Sequence, residues 1–104
     1  MKIQINTDKN VTASEEFNLS LTTLISNELS RYKDNITRLE IHLSDEDGGK
    51  DGQNDKRCML EARLEGMQPI AVRDHSNTYE EAVMGTVNKL KASLKSKLGR
   101  LKNY

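Results

Sequence analysis

Residues 2–6 alternate strictly, with Ile3 and Ile5 on one side and Lys2, Gln4 and Asn6 on the other. A period of two is the pattern of a strand with one buried face. From Thr12 the period changes. Thr12 and Glu15 have capping-box spacing, in which hydroxyl and carboxylate each satisfy a backbone N–H left open at a helix start. Phe17, Leu21, Leu24, Ile25 and Leu29 then recur at helical spacing, Tyr32 closes the stripe, and Lys33-Asp34-Asn35 ends the helix.

Alternation returns from about Ile36, with Leu39, Ile41 and Leu43 facing one way and Arg38, Glu40 and His42 the other. A third strand is expected over Lys56 to Glu65, placing Cys58, Leu60, Ala62 and Leu64 inward and Arg57, Met59, Glu61 and Arg63 outward. Gly66 to Pro69 reads as a turn, and Pro69 opens a fourth strand through about His75, with Ile70 and Val72 inward. A last helix begins near Asn77. Asn77–Glu80 and Thr78–Glu81 both have capping spacing, and its stripe is Val83, Val87, Leu90, Leu94, Leu98 and Leu101.

The order β-α-β-β-β-α predicts an α+β fold, a two-layer sandwich with a four-stranded sheet and both helices on one face. A helical crossover makes the first two strands parallel, and hairpins make the other neighbours antiparallel. The opposite sheet face would carry Lys2, Gln4, Arg38, His42, Arg57, Arg63 and Arg73, open to solvent or a partner. At 104 residues, with no repeat or composition break, residues 1–104 form a single domain.

Composition narrows the core and the chemistry. Only 35% of residues are apolar and 4% aromatic, so the core must be aliphatic. The single cysteine, Cys58, excludes an internal disulfide and fits a reducing, cytoplasmic setting. Neither an apolar signal region nor a membrane-length apolar run is visible, so no membrane partner is expected. HExxH, paired-cysteine, P-loop, G-x-S-x-G and G-x-G-x-x-G motifs are all missing, and His42 and His75 fall at strand positions. The expectation is a protein that is not an enzyme, with no cofactor, metal or small-molecule substrate. Asp45, Asp47 and Asp51 have alternating ligand-like spacing, but loop positions six and twelve counted from Asp45 are Lys50 and Lys56, where a calcium loop needs Gly and Glu.

Charge is what points to a partner. The chain has 16 basic and 16 acidic residues, yet residues 45–55 hold five acids against one Lys, and residues 87–104 hold six cations and no acid. Residues 45–55 read as a mobile acidic loop. On a helical wheel, Lys91, Lys95 and Lys102 line one flank of the last stripe and Lys89 and Arg100 the other, with Lys97 close beside it. Burying the stripe leaves two cationic rails. Such rails serve as a solubilising surface or, on a rigid scaffold, as sequence-independent contacts to nucleic-acid phosphates. A membrane-surface helix fits less well, because the stripe lacks Trp and Phe and is needed by the core.

Arg31-Tyr32-Lys33 followed by Ile36 to Leu43, together with Tyr79, Ala82-Val83, Lys89-Leu90, Leu94-Lys95 and Lys97, resembles the ribosome hibernation-promoting factor / ribosome-associated inhibitor family in a short form. The resemblance implies a fold similar to double-stranded RNA-binding domains. It also implies binding to small-subunit rRNA and inhibition of translation in stressed cells. On that reading Lys89, Lys91, Lys95, Lys97, Arg100 and Lys102 are the phosphate contacts, helped by Arg31 and Lys33. Glu28 stands where that family favours basic residues, and Asn88 and Ser93 where it favours Asp and Gln. Glu28 and the acidic loop motivate an alternative, a protein-interaction module that keeps the scaffold without ribosome binding.

Overall fold

The computed structural model describes residues 1–8, 11, 14–45 and 55–102, the last three by their backbone alone. The elements are β1 (Lys2–Thr7), α1 (Glu15–Glu28), β2 (Ile36–Asp45), β3 (Lys56–Leu64), β4 (Ile70–Ser76) and α2 (Tyr79–Lys102), with a 3-10 turn at Ser30–Tyr32. They form one four-stranded sheet in the order β1-β2-β3-β4. β1 runs parallel to β2 and the other neighbours are antiparallel, as the pattern of elements requires.

Local chemistry sets the boundaries. Ser14 caps α1 by accepting the Phe17 N–H at 3.0 Å, and Glu15 and Glu16 occupy the positive first turn. The expected cap at Thr12 lies outside the described residues. For α2, Thr78 is the cap rather than Asn77, its Oγ1 accepting the Glu81 N–H at 3.1 Å. Glu81 in turn accepts from the Ser76 hydroxyl at 2.6 Å, fastening the helix start to the end of β4. The β3–β4 turn passes through Gly66 at φ +71°, a conformation that disfavours any side chain with a Cβ.

Strict alternation puts Ile36 on the face opposite Leu39, yet both are buried. The β2–β3 register shifts between Ile36 and Arg38, so Thr37 is an extra residue. Its hydroxyl donates to the Arg63 carbonyl at 3.1 Å. The bulge thereby gains the core one more aliphatic side chain. Leu39, Ile41, Leu43, Cys58, Leu60, Ala62 and Leu64 form the sheet side of that core. Leu21, Ile25 and Leu29 of α1, with Ala82, Val83, Val87, Leu90 and Leu94 of α2, form the other side. Leu98 is only partly buried. At ~1.5 Å per residue α2 is ~36 Å long, and Leu98 lies beside the β3–β4 turn residues Glu65, Gly66 and Met67.

The loop-side end of this layer is polar. Asp45 and Asp55 are 5% and 3% exposed, and Lys56 reaches both, at 3.1 Å and 3.0 Å. The Lys56 ammonium also lies 5.9 Å from the Tyr79 ring centre, and Tyr79 meets Phe17 edge-to-face at 6.0 Å. Two of the five acids assigned from sequence to a mobile loop are therefore neutralised at its base. The intervening residues 46–54, including Asp47 and Asp51, lie outside the described residues. No described helix is long and apolar enough to cross a membrane.

Asp74 is the inward residue of β4 opposite Cys58. Its carboxylate accepts the His75 N–H at 2.8 Å, lies 3.7 Å from the Lys89 ammonium, and packs against Gly85, where a Cβ would overlap it. Gly within a helix costs about 1 kcal/mol relative to Ala. Gly85→Ala should therefore gain little stability in the wild-type chain but about 1 kcal/mol in an Asp74→Ala background, measured by urea unfolding. Equal effects in both backgrounds would remove the steric account.

Burial pushes the Cys58 thiol from its ordinary value of 9.0 up to about 11, opposed in part by the Thr86 hydroxyl. Burial also raises Tyr79, and the hydrogen bonds that Lys56 donates to Asp55 and then Asp45 raise Lys56. Each group holds its proton more tightly folded than unfolded. Their stabilisation is complete below the unfolded values and is lost as pH rises through the folded ones. Urea midpoints should thus fall above pH 9, and Cys58→Ala should flatten the fall between 9 and about 11. An unchanged slope in that variant would show that the thiol does not contribute.

Candidate nucleic-acid interface

Burying the aliphatic stripe of α2 sets the flank on which each of its described cations lies. Lys91, next to Leu90, points toward α1, where its ammonium meets the Glu28 carboxylate at 3.0 Å. Lys89, on the other flank, reaches the β4 edge. Its ammonium donates to the Arg73 carbonyl at 2.9 Å and lies 3.7 Å from Asp74. The expectation of two wholly open rails is corrected accordingly. The first cation of each rail also ties α2 to a neighbouring element.

Glu28 changes meaning with this contact. On the sequence it stands as a negative charge among intended phosphate contacts. In the fold it is half-buried and paired with Lys91, so the helix–helix junction is close to neutral. Exposed and partly exposed pairs of this kind contribute about 0–1 kcal/mol, so the contact positions the side chains more than it holds the helices together.

One turn further along, Lys95 is exposed and shares a hollow of about 250 Å³ with Arg31, Tyr32, Asn35, Leu98 and Gly99. Arg31 belongs to the 3-10 turn after α1, so the two cations come from elements 64 positions apart in the sequence. The turn forms because Leu29 ends α1 and Tyr32 N–H bonds back to the Leu29 carbonyl at 2.9 Å. Gly99 leaves the α2 wall of the hollow without a side chain. Among the described residues no carboxylate lines it. Beyond Leu98 a second hollow of about 300 Å³ is lined by Asp34, Asn35, Glu65, Gly66 and Met67, which bounds the basic region on that side.

The remaining site residues fall around this cleft unevenly. Lys33 is exposed in the turn leading to β2, and Lys97 is half-buried on α2. Arg100 and Lys102 continue the helix, with side chains outside the described residues. The structure thus brings together Arg31 and Lys95, commits Lys91 to Glu28, and turns Lys89 to the opposite edge. Sequence reasoning missed Tyr32, Asn35 and Gly99 as parts of one cleft. The available signal was the uncommitted polar Asn35 one turn after Arg31, but only the path of α2 shows what it faces.

The chemistry on offer is charge and hydrogen bonding to an anion. Arg31 supplies a planar, multidentate donor, Lys95 a point charge, and Tyr32 and Asn35 polar groups beside an apolar floor. Glu28→Gln should free Lys91 for anions, raising the salt needed to elute the protein from heparin. Lys95→Gln should lower it, and urea stability should change by less than about 1 kcal/mol in both variants. Identical elution of Glu28→Gln and wild type would mean that Lys91 gains nothing by release.

Residues 3–102 match the model of the sigma 54 modulation protein / S30EA ribosomal protein family. No curated protein sequence matches the chain. Among solved structures, the Thermus thermophilus Protein Y N-terminal domain superposes with a TM-score of 0.71 at 19% identity, covering 92% of this chain and 98% of that one. A ribosomal subunit interface protein from Coxiella burnetii gives a TM-score of 0.72 at 20% identity, covering 95% and 99%. These likenesses establish the shared fold, and the family match over residues 3–102 bears out the resemblance read from the residues. The chain belongs to the sigma 54 modulation protein / S30EA ribosomal protein family.

Proposed function

We propose that this protein is a non-enzymatic, cytoplasmic factor that binds rRNA of the small ribosomal subunit and holds the ribosome inactive. Membership of a ribosome-associated family supports the partner. The observation that carries the RNA contact is the convergence of Arg31 and Lys95 on one cleft with no carboxylate among the described residues of its lining. Lys33 and Lys97 flank it, Arg100 and Lys102 extend it along α2, and Lys91 and Lys89 contribute once an RNA phosphate displaces Glu28 or Asp74.

Phosphate binding by such a surface is sequence-independent and strongly salt-dependent, because each neutralised phosphate releases condensed counterions. With about four to six phosphates engaged, log K should fall with log salt at a slope of about −3 to −5. The alternative of a scaffold without ribosome binding drew on Glu28 and the acidic loop; the ion pair with Lys91 weakens the first motive, and residues 46–54 of the loop lie outside the described residues.

Co-sedimentation with purified small subunits at low salt tests the reading. Wild type should pellet with the subunits, and Arg31→Glu/Lys95→Glu should lose at least about tenfold in affinity, with a shallower salt slope. Equal pelleting of both proteins would reject the cleft. Failure of the wild type to pellet would reject the function.

A further inference from the structure

Two hollows meet at Asn35 and Leu98, and their linings differ in sign. One carries Arg31 and Lys95, the other Asp34 and Glu65. All four residues are exposed, and none of their charged groups makes an ion pair or hydrogen bond within the described residues. The turn before β2 creates the contrast. Arg31 opens it and Asp34 comes near its end, where the Asn35 N–H donates to the Tyr32 carbonyl at 2.9 Å. The Asn35 carbonyl accepts the Glu65 N–H at 3.3 Å, which brings the β3–β4 turn to the same wall as Asp34. Lys95 enters from α2 on the other side of Leu98.

Like charges facing each other across an interface oppose binding, so a phosphate backbone continuing past Leu98 would lose affinity at Asp34 and Glu65. Nor do these acids make a metal site: among the described residues, no group of three or more His, Cys, Asp or Glu could hold an ion. What the acidic half accepts is a neutral group with N–H donors. Its walls suit a flat ring, since Met67 and Leu98 are partly buried against the core and present a thioether and an isobutyl group. A nucleotide meets both requirements, with a phosphate at one end of its ribose and a donor-bearing base at the other. Guanine fits best. Its N1–H and N2 amino group lie side by side and match the two oxygens of one carboxylate, whereas uracil offers a single N–H.

We propose that the cleft selects an unpaired guanosine of RNA, with its phosphate on Arg31 and Lys95 and its base beyond Leu98 on Asp34 or Glu65. This selection presupposes the rRNA contact proposed above and adds a discriminating half to it. The acids weaken contact with any continuous polyanion and thereby distinguish an extruded base from a duplex.

Fluorescence anisotropy at low salt tests the selection with a labelled uridine dodecamer, the same strand with one central guanosine, and an RNA duplex of equal length. Wild type should bind the guanosine strand at least about threefold more tightly than the all-uridine strand. Asp34→Ala/Glu65→Ala should erase that preference, tighten duplex binding, and keep the salt slope of the all-uridine strand. Arg31→Glu/Lys95→Glu should lose both strands. A Cβ at Gly99 meets no described atom within 4 Å. Gly99→Leu therefore fills the basic half without changing a charge, and should weaken the guanosine strand at least about threefold with urea stability kept or raised. Equal affinity for the two strands, with small subunits still pelleting, would overturn the guanosine site and leave the rRNA contact standing. Loss of pelleting by the wild type would remove the contact itself. A dodecapeptide of alternating Lys and Glu that binds as tightly and displaces the guanosine strand would overturn the RNA assignment in favour of a protein partner.

Discussion

Everything in this molecule hangs on a single aliphatic layer between one sheet and two helices. With one Phe, three Tyr and no Trp in the chain, few large rings are available to fill an error in that layer, and Phe17, Tyr32 and Tyr79 only border it. Leu, Ile and Val from β2, β3, α1 and α2 must meet closely, since interiors pack at crystal-like density and each missing methylene is felt. The Thr37 bulge serves this need by bringing Ile36 to the same side as Leu39.

The layer also dictates electrostatics. Once Val83, Val87, Leu90 and Leu94 face the sheet, Lys91 and Lys95 lie toward α1 and Lys89 toward the β4 edge. The acids that meet them are set by the same packing: Glu28 on the partner helix, Asp74 on the underlying strand. At the far end, Lys56 clamps Asp45 and Asp55 under Tyr79 and fixes where the acidic segment leaves the core. Net neutrality is thereby reached through local compensation, which leaves particular surfaces basic. One is the cleft of Arg31 and Lys95.

Much of the fold was legible because its signals are local and periodic. Alternation over Leu39, Ile41 and Leu43 and over Cys58, Leu60, Ala62 and Leu64 named the buried side chains correctly, and Thr78–Glu81 offered a cap that the structure uses. The site was legible only in part. Lys95 and Arg31 were identifiable as candidates from charge and resemblance, but their shared cleft depends on α2 passing beside the turn at Tyr32. The role of Glu28 was misread for a related reason. A carboxylate in a one-dimensional pattern has no visible partner, and Lys91 lies 63 positions away.

The sequence by itself determined the elements, their order, the buried face of each and the gathering of cations on α2, because 2.0- and 3.6-residue periods are properties of the local backbone. Only the tertiary structure decided which charges remain available. Coulomb interactions and hydrogen bonds act over a few ångströms, and those distances exist only after distant segments are packed. Register alone brings Arg73 beside Met59 and His42, and helix packing alone ties Lys91 to Glu28 while leaving Lys95 with Arg31.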